Sequence, residues 1–108
     1  MNDNHVVVIT TTGSAEAADV LARAVVEARL AACAQVGGPV RSVYRWDGEV
    51  RDDREWQVWI KTAYDRVDEL TEFVKANHPY DVPEVVALPV LGGNTDYLAW
   101  ITEETRRP

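Results

Sequence analysis

The chain is poor in cysteine, in basic charge and in long apolar runs. Its single cysteine, Cys33, in 108 residues excludes an internal disulfide and suits a reducing compartment. Eleven lysines and arginines stand against 18 aspartates and glutamates, a formal charge of −7. Arg23, Arg29, Arg41, Arg45, Arg51 and Arg54 are scattered among acids, so no basic face forms and no nucleic-acid partner is expected. The opening MNDNHVVVITTTG has no basic segment, and its apolar run stops after Ile9. That is too short for a signal peptide or a membrane span, and the reading is a cytoplasmic protein with no membrane partner. With two histidines and no recognisable Ser/His/Asp frame, an acid–base enzyme would have to combine His78 with Asp81, Glu84 or Lys61. Binding is the better reading than catalysis.

What is present is one domain's worth of ordered pattern, long enough to bury roughly 65% of the unfolded surface. His5 to Thr12 is β-branched and apolar on both faces, the habit of a strand inside a sheet. SAEAADVLARAVVEARLAAC, from Ser14 to Cys33, spaces its apolar residues by three and four and predicts a helix of about five turns, capped by Ser14 and closed by Gly37-Gly38-Pro39. VRSVYRW and EWQVWIKT flank Asp47-Gly48, a hairpin signal, with Glu49 to Arg54 as a turn or an extended, solvated arm. A second helix is predicted over Asp65–Asn77, a fourth strand over Val85–Val90 and a terminal helix over Thr95–Arg106.

This order, β-α-β-β-α-β with a short C-terminal helix, is that of an α+β ferredoxin-like sandwich: a four-stranded antiparallel sheet with two helices on one face. The strands nevertheless lack polar alternation. Val6 to Ile9, Trp56 to Ile60 and Val85 to Val90 are apolar in both registers, which predicts that the second face is buried by other subunits. Pro89 cannot donate to a ladder and places the fourth strand at an edge.

The segments TTTGSAEA, ARAVVEARLAAC, SVYRWDGEV, IKT, HPYDVPEVVALPV and YLAWI, in order over essentially the whole chain, resemble the CutA family of divalent-cation tolerance proteins. The resemblance implies a ferredoxin-like subunit similar to PII signalling proteins, a compact homotrimer, and a part in tolerance of copper and other divalent cations. Three positions depart from the family pattern: Ala34-Gln35 stands for Val-Asn, Trp59 for a smaller aliphatic residue and Asp81 for glutamate.

Two groups of side chains carry chemistry. Cys33, His78 and Glu84 are candidate metal ligands: a thiolate suits Cu(I), and an imidazole at a helix end beside carboxylates suits a divalent ion. The bland alternatives are a small buried hydrophobe for Cys33 and a helix-ending hydrogen bond for His78. Trp46, Glu55, Lys61, Tyr80, Asp81 and Trp100 are candidates for a cleft between subunits that takes a small anionic ligand, as a PII-like sensor would; cross-strand pairing at a trimer interface is the alternative. His5, near the terminus, is expected to be incidental. The loop TTTGSAE lacks a phosphate-binding signature and needs no role beyond capping its helix.

Overall fold

The computed structural model describes residues 4–107. The chain runs β1 (His5–Thr12), α1 (Ala15–Glu27), β2 (Cys33–Trp46), β3 (Glu49–Ala63), a 3-10 turn (Tyr64–Arg66), α2 (Val67–Ala76), β4 (Val86–Pro89) and α3 (Thr95–Glu104). The strands form one antiparallel sheet in the order β2-β3-β1-β4, so the expected ferredoxin-like topology is present and β4 lies at an edge. Pro89 sits opposite Val6.

Register explains the two-sided apolar strands. Val6, Val8 and Thr10 of β1 stand opposite Thr62, Ile60 and Val58 of β3, and all six point to one face. There Val6, Val8, Val58 and Ile60 join Leu21 and Val25 of α1 and Leu70 and Val74 of α2 in the core. The other register puts Cys33, Lys61, Val7 and Leu88 in one row and Gln35, Trp59, Ile9 and Val86 in the next. Helix α3 reaches one end of that face, where Thr102 Oγ1 hydrogen-bonds His5 Nε2 at 2.8 Å. His5 is therefore a buried joint between β1 and α3, not an incidental terminal residue. The rest of the face is uncovered in the single chain: Trp59 is 40% exposed, Leu88 42% and Val86 46%.

Two further sequence expectations fail for identifiable reasons. The first helix stops at Glu27, six residues before Cys33, and Cys33 opens β2 instead. Arg29 takes the left-handed conformation (φ 60°), its N–H bonds Val26 O, and the N–H of Leu30 bonds Val25 O. This is a Schellman end without the usual glycine, so no composition signal marked it. Arg29 has a second duty, because its Nε and Nη2 donate to the carbonyls of Arg106 and Glu103 at the end of α3. Gly37-Gly38-Pro39, read as a helix stop, instead lies inside β2, where the register shifts by one residue between Gly37 and Val40. That bulge re-aims the hairpin. Beyond it β2 and β3 continue as a solvated arm to the turn at Asp47 (φ 53°) and Gly48 (φ 79°), giving the subunit extents of 44 × 26 × 21 Å. Glu49 to Arg54 thus belongs to β3 as an extended arm.

The helix starts follow their sequence signals. Ser14 Oγ accepts the N–H of Ala17, and Asn94 Oδ1 accepts that of Asp96.

Candidate functional site

HPYDVPE leaves α2 at Asn77, and Pro79 forbids another turn. His78 then ties the segment to β1. Its Nε2 donates to Thr11 O at 2.7 Å and its Nδ1 accepts the Tyr80 N–H at 3.1 Å. A carbonyl only accepts and an amide only donates, so this pattern requires the neutral imidazole with the proton on Nε2. Both ring nitrogens are engaged, and ligation of a metal at His78 requires giving up one of these bonds. The ring also packs on Tyr80, with centroids 4.6 Å apart.

Held in this way, the Tyr80–Glu84 segment forms one wall of a cleft whose other wall is the hairpin arm. The cleft is an open trough of about 700 Å³. Trp46, Glu55, Tyr80 and Asp81, all expected together from sequence, do line it, and Glu84 joins them. The structure separates the remaining candidates. Lys61 lies on the open sheet face and donates to Gln35 Oε1, and Trp100 belongs to α3, where it packs on Tyr97 at 5.4 Å. Cys33 stands in the row of Lys61 and Val7, four residues or about 13 Å along β1 from the carbonyl that holds His78. Cys33, His78 and Glu84 are therefore not assembled within one chain, and among the described residues no three His, Cys, Asp or Glu side chains converge as a metal site would need. Sequence reasoning missed Tyr44, Arg41 and Arg51 in the cleft lining. Alternation along the arm, read as continuous strand, groups Tyr44 and Arg51 with Trp46 and Glu55, whereas Arg41 has the opposite parity and carries no such signal.

The charges around the cleft are unequally paired. Arg41 forks onto Asp52, and Arg51 lies 3.6 Å from Glu49. Both arginines that line the cleft are thus already committed to acids, which weakens the expectation of an anionic ligand. Glu55 Oε2 accepts the Tyr80 hydroxyl at 3.1 Å. Burial, then the charge of Glu55, push the Tyr80 phenol up to about 12. Burial first and Glu55 second also raise the Glu84 carboxyl above its ordinary value.

The Tyr80 shift has a measurable consequence. Between pH 10 and about 12 the unfolded chain releases this proton while the folded chain keeps it, so stability falls as pH rises through that window. In a spectrophotometric titration, Tyr80→Phe should remove the latest phenolate step and flatten the alkaline loss of stability. Survival of a step near pH 12 in Tyr80→Phe would mean that another tyrosine carries it.

Fold and site together define a class: a ferredoxin-like α+β subunit with an unfilled second sheet face and an acidic, aromatic cleft under a hairpin arm. The chain belongs to the CutA1 divalent ion tolerance protein family, whose profile matches residues 6–104. It is 48% identical over 99 residues to the divalent-cation tolerance protein CutA of Thermus thermophilus, covering 92% of this chain and 96% of that one. Identity to the chloroplastic protein CutA 1 of rice is also 48%, over 101 residues, 94% of this chain and 57% of the rice protein. The chain spans about half the length of the plant and mammalian relatives. The solved Thermus thermophilus protein superposes with a TM-score of 0.92 at 47% identity, covering 94% of this chain and 99% of that one; rice CutA1 superposes at 0.93 and 46%, covering 97% and 96%.

Proposed function

We propose that this protein acts in tolerance of divalent cations, copper among them, as a homotrimeric binding protein of the cytoplasm and not as an enzyme. Family membership supports the cation link. The observation that carries the assembly is the open sheet face, where Trp59, Val86 and Leu88 lie half-exposed beside Ile9 and Val7 in a contiguous apolar surface. The single cysteine supports a reducing compartment.

Metal binding is, on this reading, a property of the assembly. Donors do not converge within one chain among the described residues, whereas Cys33 is half-buried on the face that neighbouring copies would cover. A thiolate there selects a soft ion. Sedimentation should give one species near three times 12.1 kDa. Cu(I) titration against a competing chelator should show Cys33→Ser binding at least about tenfold more weakly with the trimer intact, because sulfur is exchanged for a hard oxygen of similar size. An unchanged copper isotherm would reduce Cys33 to packing.

A further inference from the structure

The cleft under the arm is far larger than an ion. Its volume of about 700 Å³ falls among small-molecule pockets, which run from roughly 300 to 1,000 Å³. Its acids outnumber the charges available to answer them. Arg41 and Arg51 are paired with Asp52 and Glu49, while Asp81 and Glu84 have no basic partner among the described residues and Glu55 accepts a hydrogen bond from the Tyr80 hydroxyl. Beside these carboxylates stand aromatic surfaces, with Tyr44 38% exposed, Tyr80 39% and Trp46 46%.

Bare divalent ions and organic cations ask for different things. A hard ion needs about six oxygens drawn in to 2.0–2.6 Å, and the carboxylates of this cleft do not gather in that way. An ammonium or guanidinium group is satisfied by one or two carboxylates and an aromatic face, and the apolar chain that bears it fills space against aromatic walls.

We propose that this cleft binds an organic cation, a protonated amine or guanidinium on an apolar chain, its head between Glu55 and Glu84 and its body against Tyr44 and Trp46. The arrival of the cation answers the like charges of Glu84 and Glu55, which line the same cleft. The chain's charge of −7 favours encounter with such a ligand. Cys33 pairs with Lys61, six residues or about 20 Å along β3 from Glu55, so this site stands or falls independently of copper binding.

The test is calorimetric and fluorimetric titration of the assembled protein with spermidine and with agmatine at constant ionic strength, with Mg²⁺ as a charge control. Saturable binding of either amine is expected, weakened about tenfold or more in Glu84→Gln and in Glu55→Gln and left unchanged in Cys33→Ser. Both glutamine variants keep size and shape, and their melting curves report that they are folded. Trp46→Leu should weaken binding and remove part of the fluorescence response. Absence of binding at millimolar amine would overturn the proposal. So would equal displacement of spermidine by Mg²⁺ at matched charge, or an isotherm that both glutamine variants leave intact. A Zn²⁺ isotherm abolished by Glu84→Gln, with no amine bound, would make the cleft a metal site instead.

Discussion

A Trp59→Glu chain should fold and fail to assemble. Trp59 projects from β3 to the side away from α1 and α2, between Gln35 of β2 and Ile9 of β1, whereas its neighbours Val58 and Ile60 fill the core. The substitution leaves the helix-covered core untouched. In a trimer closed over the open face, however, it takes a carboxylate out of water against apolar neighbours, at a cost of several kcal/mol per copy. At 1.4 kcal/mol per tenfold, the concentration needed for assembly rises on the order of a thousandfold or more. Sedimentation at micromolar concentration should then show the 12.1 kDa monomer. Val20→Glu, on the outer side of α1 at a position already 70% exposed, should sediment like the parent. A Trp59→Glu protein that remains trimeric would remove the open face from the interface.

The second large effect is expected at the bulge. Gly38 has φ +132°, a conformation that L side chains rarely adopt, and a Cβ built there lies 3.1 Å from Glu55 O and 3.2 Å from Trp56 Cα. Both contacts are backbone, so neither can swing aside. Backbone strain of about 1–3 kcal/mol adds to the steric cost, and Gly38→Val should lose about 3 kcal/mol or more, read as a lower urea midpoint. Its neighbour supplies the control. Gly37 has open space where a Cβ would go and no positive φ, so Gly37→Ala should stay within about 1 kcal/mol of the parent. The bulge lies next to Glu55 in the ladder, where Val40 pairs with it, so Gly38→Val should also disturb the cleft. Equal stability of the two variants would show that the arm relaxes around the bulge.

These two positions also show where the sequence was legible. Trp59 could be assigned to an apolar second sheet face because a strand that is apolar in both registers presents apolar side chains on both sides. Gly38 could not be placed, since a Gly-Gly-Pro run stops helices and forms bulges with equal ease. The true helix end, at Arg29, carries no glycine, and its αL conformation is held by tertiary partners at the C-terminal end of α3. That error displaced Cys33 from a helix to a strand.

Local chemistry alone determined the element order, the Asp47-Gly48 turn, the caps at Ser14 and Asn94, the break at Pro79 and the edge position of the strand bearing Pro89. Each depends on a few adjacent residues and on backbone preferences that distant contacts do not reverse. Tertiary structure decided the rest. Whether His78 coordinates a metal or fastens a loop depends on which groups meet its two nitrogens, and one of them, Thr11 O, is 67 residues away in sequence. Which of nine candidate side chains share a cleft depends on register and on a one-residue bulge, and a shift of one residue sends a side chain to the opposite face. Sequence spacing specifies which face of a strand a residue takes, but only the packed chain specifies what it meets there.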